Sequence, residues 1–155
     1  FDYYDWSRVK QIFRYLRGTL GYGIKFTGKE NGIACYPDAS LGISEPDGKS
    51  TTGYAIKLYG DMICWRTKRQ TQVALSSAEA EFVAMSIACK ELASVHELGK
   101  RLLELEETPI VFEDNKAAIK LTITEESQTL RHVVNLCYHF VRQQVKTGKV
   151  KFEWI

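Results

Sequence analysis

The sequence lacks a strong charge of one sign. Its 21 Lys and Arg nearly balance 19 Asp and Glu, leaving a formal net charge of +2 over 155 residues. So small a surplus does not by itself point to a nucleic-acid partner, and any basic patch has to be local. No apolar run is long enough to cross a bilayer, and the opening residues have no signal-peptide pattern. The four cysteines, Cys35, Cys64, Cys89 and Cys137, are scattered and none forms C-x-x-C. Each lies in an apolar stretch, which reads as a buried reduced thiol in a reducing, intracellular compartment. The three histidines, His96, His132 and His139, have no metal-ligand spacing with cysteine or with each other. Internal repeats and low-complexity segments are absent too.

What is present fits one globular domain of ordinary composition, long enough to bury a real core. The chain opens at Phe1 and ends inside the strand-like "KVKFEWI", so it is expected to be a piece of a longer polypeptide. Residues 5–17, "DWSRVKQIFRYLR", read as an amphipathic helix capped by Asp5, with Trp6, Val9, Phe13 and Leu16 in one apolar stripe. Strands are expected at "GIACYPD", "TTGYAIKLY", "MICWRT", "TPIVFED" and "KVKFEWI", with Gly60-Asp61 as a hairpin turn. Helices are expected from Ser76 to Leu103 with a break or kink near Gly99, over "NKAAIKL", and over 128–148. The stripe of that last helix is Leu130, Val134, Cys137, Val141 and Val145, with Gly148 beyond its end. After the first helix the order is β-β-β-α-β-α-α-β, which implies a mixed sheet flanked by helices.

The acidic residues of "ALSSAEAEF", residues 74–82, behave differently from one another. Ser76 followed by Glu79 matches a capping box, which gives Glu79 a structural role at the backbone of Ser76. A helix turns about 100° per residue, so Glu81 points nearly opposite to Glu79. Glu81 shares a face with Met85, Ala88 and Cys89. A carboxylate on such a face is paired, protonated or bound to a cation, unless it stands at a rim and reaches water. Asp38 and Asp114 each lie at or near the end of an expected strand, where chemistry gathers in sheets of this kind. If the three converge, their repulsion calls for a divalent cation, and hard oxygen donors suit Mg²⁺ or Mn²⁺. Spacing alone does not establish that convergence.

The segment 49–85, "KSTTGYAIKLYGDMICWRTKRQTQVALSSAEAEFVAM", resembles the ribonuclease H domain of Ty1/copia-type retrotransposon Pol polyproteins, as do "FEDNKAAI" and "YHFVRQQVKTGKV". The opening "WSRVKQIFRYLRGTLGYGI" resembles the segment joining reverse transcriptase to that domain. The resemblance covers nearly the whole chain and implies residues 1–28 as the end of that connection and 29–155 as the ribonuclease H-like domain. It implies an α/β fold with a five-stranded mixed sheet and helices on both sides. It also implies Mg²⁺- or Mn²⁺-dependent cleavage of the RNA strand of an RNA–DNA hybrid, with two ions bound. The family's first catalytic Asp, its Glu and its next Asp fall on Asp38, Glu81 and Asp114. A fourth acidic ligand, on a last helix, falls beyond Ile155, so the fragment by itself is expected to be weak or inactive. The expected partners are the hybrid and the reverse transcriptase of the same polyprotein, in the cytoplasm or in a virus-like particle.

The chain departs from the family pattern at Pro37, at Ser40 and Leu41, and at Val133–Asn135. Proline in a central strand removes a ladder donor. These departures suggest a decayed element copy, though none removes one of the three ligands. A hybrid binder needs cations for phosphates and polar groups for the minor groove. Lys49, Arg66, Lys68 and Arg69 are candidates, and each also reads as an ordinary surface charge. Asn115 either bonds the hybrid backbone or caps the helix that follows. Two other classes compete with the nuclease. An integrase-type strand-transfer enzyme would place its Glu last, whereas here Glu81 stands between the two Asp. A non-catalytic remnant would at most bind nucleic acid.

Overall fold

The computed structural model describes residues 2–43, 46–123 and 132–155, without the side chains of 132–135. The elements are α1 (Tyr3–Gly18), β1 (Ile33–Ser40), β2 (Thr51–Leu58), β3 (Asp61–Arg69), α2 (Ser77–Leu103), β4 (Ile110–Glu113), α3 (Lys116–Ile123), α4 (His132–Lys146) and β5 (Lys151–Trp154). The strands form one sheet in the order β3-β2-β1-β4-β5. The first three are antiparallel neighbours; β4 runs parallel to β1, and β5 parallel to β4. This is the mixed sheet that the element order implies. The start expected for α4, residues 128–131 with Leu130, and the side chain of Val134 lie outside the description.

Strand alternation decides which side chains are enclosed. Ile33, Cys35 and Pro37 of β1, Tyr54 and Ile56 of β2, and Val111 of β4 point to the side where α2 packs. Ala88, Cys89 and Leu92 of α2 meet that sheet face. Phe82 and Met85, one to two turns earlier, join Ala118 of α3 and Tyr138 and Val141 of α4 in a second cluster. Pro37 sits inside the sheet without breaking it. The β1–β2 register runs unbroken through Pro37↔Tyr54, and the β1–β4 pairing ends two residues earlier, at Cys35↔Val111. The missing N–H therefore takes no rung from the parallel pairing, and the cost expected for proline here does not arise there.

Several local expectations change. The hairpin turn is Tyr59-Gly60, both at positive φ, whereas Asp61 opens β3 opposite Leu58. The Asp61 carboxylate instead accepts the backbone N–H groups of Thr27 and Gly28 and fixes the strap before β1. Gly99 does not break α2. A Cβ there would lie 3.0 Å from Leu105, so glycine gives the chain room to fold back after Glu104. The first helix is capped by Asp2, with Asp5 reciprocating three residues on. Its apolar stripe is not enclosed: Trp6, Phe13 and Leu16 are each at least half exposed, and α1 buries no residue.

Candidate active site

Asp38 lies on β1, in the half of the strand that continues past its pairing with β4. Asp114 follows directly on the last residue of β4. Parallel β1 and β4 therefore deliver both carboxylates to the same end of the sheet. Glu81 reaches them from the second turn of α2. Ser76 caps that helix, its Oγ accepting the N–H of Glu79 at 3.1 Å. Glu79 closes the turn as expected, but one residue further back, with Oε2 accepting the N–H of Leu75 at 2.6 Å. Gln70, just after β3, pins the same turn to the sheet. Its buried amide donates to Thr52 Oγ1 at 3.0 Å and to the Ala80 carbonyl at 2.9 Å. Ala80 immediately precedes Glu81, so Gln70 sets where α2 begins relative to β1. The sequence alone carried no signal for this role.

Glu81 is 7% exposed, and its Oε2 has no hydrogen-bond partner. Burial pushes the Glu81 carboxyl up to about 7, and the charges of Asp38 and Asp114 push in the same direction, while the backbone N–H of Ala39, next to Asp38, favours its charged form and opposes that push. The three residues singled out from the sequence thus form one electrostatic cluster. A fourth carboxylate, not singled out, belongs to it. Glu113, the last residue of β4, is fully buried; burial pushes it up to about 8, helped by Glu81, Asp114 and Asp38. The signal available for it was strand parity, since Glu113 follows Val111 by two and so faces the core.

This donor set consists of hard oxygens, and two of them are buried without a partner, which fits a divalent cation. Among the described residues, no three His, Cys, Asp or Glu stand close enough to form a ready-made metal cage. An ion would therefore have to draw the carboxylates inward.

Of the candidate substrate contacts, Arg66, Lys68 and Arg69 border one cleft, whereas Lys49 and Asn115 do not line it. Arg66 and Lys68 pair across from Tyr54 and Thr52, on the side of α2. There they line a cleft of about 180 Å³ together with Val83 and Ile87. Arg69 also borders that cleft, and Asp47 and the Lys49 carbonyl engage its guanidinium. Asn115 takes the capping alternative: its Oδ1 accepts the N–H groups of Ala117 and Ala118 at 3.0 and 3.1 Å.

No family model matches the chain. The chain is 32% identical over 146 residues to the retrovirus-related Pol polyprotein from transposon TNT 1-94 of Nicotiana tabacum, covering 94% of this chain and 11% of that protein. It is 33% identical over 149 residues to the corresponding polyprotein from transposon RE2 of Arabidopsis thaliana, covering 94% and 10%. The chain thus spans about a tenth of the length of these relatives. Among solved structures, LC11-RNase H1 isolated from compost superposes with a TM-score of 0.57 at 14% identity, over 81% of this chain and 84% of that one. The foamy viral protease-reverse transcriptase in complex with dsDNA gives 0.58 at 14% identity, over 94% and 29%. The chain is homologous over nearly all its length to a segment of plant retrotransposon Pol polyproteins, and it has the ribonuclease H fold.

Proposed function

We propose that this domain is a divalent-metal-dependent ribonuclease that cleaves the RNA strand of RNA–DNA hybrids, working as one part of a retrotransposon polyprotein. The observation that carries the proposal is Glu81: a nearly enclosed carboxylate with an unpartnered oxygen, clustered with Asp38 and Asp114 at one end of the sheet. Such a residue costs stability and gains nothing structurally, so a cation is the economical reason for it. Asp38, Glu81 and Asp114 would hold Mg²⁺ or Mn²⁺. Two bound ions would supply an activated water and charge stabilisation at the leaving oxygen.

The chain's own residues set the frame for that chemistry. The Gln70 bond to the Ala80 carbonyl fixes the turn of α2 that carries Glu81. Asp38 and Asp114 stay exposed, so a phosphodiester can approach them from solvent. Lys68 pairs with Thr52, which pairs with Ala39. The basic cleft therefore lies about 10 Å from β1, two strand spacings away, in reach of neighbouring phosphates. Lys49 and Arg69, on the loop side, would meet the backbone further along the duplex. We assign residues 1–28 to the connection with the reverse transcriptase part, and α1 is the segment that would lie against it.

The test is hybrid cleavage with Mg²⁺ or Mn²⁺ by this chain and by a version extended past Ile155 that cleaves the hybrid, each compared with its Glu81→Gln variant. Equal activity in the extended protein and its variant would remove the site assignment. A second reading, binding without cleavage, is favoured by the absence of a ready-made cage among the described residues. It predicts hybrid binding that is unchanged by Mg²⁺ and by Glu81→Gln, with no cut product.

A further inference from the structure

Glu113 is the most enclosed carboxylate among the described residues, with no exposed surface at all. One oxygen, Oε1, accepts the N–H of Asn115 at 3.2 Å, and Oε2 has no partner. Val111, two residues earlier on the same face of β4, is an ordinary apolar core residue. Packing alone would place another such residue at 113. A buried carboxylate with an orphaned oxygen costs free energy unless something outside the protein satisfies it. The other carboxylate oxygen orphaned and buried among the described residues is Glu81 Oε2. The two groups lie within electrostatic reach of each other and of Asp38 and Asp114. Asn115 makes the arrangement rigid, since its N–H holds Glu113 while its side chain caps α3.

We propose that Glu113 is a further carboxylate donor of the cation centre, its free Oε2 binding the same divalent ion as Glu81 from the core side of the sheet. This rests on reading the cluster as a cation centre. Oε1 remains with the Asn115 N–H, so the side chain needs no rearrangement of the backbone to present its second oxygen. The ion would be Mg²⁺ or Mn²⁺, since every donor is a carboxylate oxygen.

The experiment uses the full chain made with ¹³C-carboxyl glutamate and titrated with Mg²⁺, alongside direct Mg²⁺ binding to Glu113→Gln and Glu81→Gln. The expected result is that the Glu113 and Glu81 carboxyl resonances move together and saturate at one Mg²⁺ concentration. Each variant should then bind Mg²⁺ roughly ten-fold more weakly or worse. Movement of Glu81 alone, with unchanged affinity in Glu113→Gln, overturns the role of Glu113 and leaves the cation centre standing. If neither resonance moves and no hybrid is cut, the cation centre fails and this proposal fails with it. The resonance titration needs only the unsubstituted chain, so it decides the matter even if Glu113→Gln does not fold.

Discussion

Burial and mutual repulsion act on the same two side chains, Glu81 and Glu113, and both raise their affinity for protons. Their folded values, about 7 and about 8, lie above the ordinary 4.5 of an unfolded glutamate. Between those limits the folded chain holds protons that the unfolded chain has released, so stability falls as pH rises. The contribution is complete below about pH 4.5 and is lost as pH climbs through 7 and 8. Thermal unfolding of the metal-free chain should therefore give a higher Tm at pH 5.5 than at pH 8.5. Saturating Mg²⁺ should raise Tm more at the alkaline pH, because the cation then replaces the missing protons. An equal Tm at both pH values would mean the carboxylates are better solvated than their burial implies. For the same reason Glu81→Gln should stabilise the metal-free protein at pH 8.5, by on the order of 1 kcal/mol, while removing nearly all cleavage. A variant that lost activity by unfolding would show the opposite shift in Tm.

At the scale of elements, the start of α2 is where sequence and structure agree best and where the site is set. A serine cap, a glutamate three residues on and an inward glutamate two residues later were all legible from helical period and capping chemistry. Ser76→Ala should cost about 1 kcal/mol, read from urea unfolding. Gln70 was not legible, because its two partners are 18 and 10 residues away and only the folded register brings them together. Gln70→Ala leaves the buried Ala80 carbonyl without this donor and loosens the seat of Glu81. It should lower stability by about 1–2 kcal/mol, and hybrid cleavage should weaken more than hybrid binding. Equal loss in both would point to a general folding defect. Glu113 was hidden for a different reason: "FEDN" reads naturally as a strand running out into an acidic turn, and only the parity of a four-residue strand turns it inward. Period-two alternation on β3 puts Arg66 and Lys68 on the α2 side, while the Arg69 guanidinium meets Asp47, yet all three residues border one cleft. Gly42 closes the element-scale constraints. A Cβ there would sit 2.1 Å from the Lys49 carbonyl oxygen, which no side-chain motion relieves. Gly42→Ala should push Gly42 and Lys49 apart and release Arg69 from Asp47, seen as increased proteolysis next to Lys49.

At the scale of the whole molecule, the sheet and α2–α4 share buried clusters, whereas α1 belongs to neither. The amphipathic pattern of α1 was correctly read as a helix, but a stripe does not say whether its apolar side is covered within the same chain. Tyr3, Trp6, Ile12, Phe13, Tyr15 and Leu16 all remain at least half exposed. A helix of 16 residues that buries nothing adds little to the folding of the rest. Deleting residues 1–18 should therefore change Tm by less than about 3 °C, the equivalent of roughly 1 kcal/mol for a domain of this size. The same deletion should leave Mg²⁺ binding unchanged, since Asp38, Glu81, Glu113 and Asp114 all lie in the retained residues. It should also reduce self-association at high concentration, because it removes several exposed aromatic side chains. Hydrogen exchange supplies the complementary measurement. In this chain the α1 amides should exchange quickly, and in a longer polypeptide carrying the reverse transcriptase part they should become protected. Fast exchange in both would show that α1 takes no partner there and would overturn its assignment to the connection, while slow exchange in the isolated chain would mean that α1 packs against the domain itself.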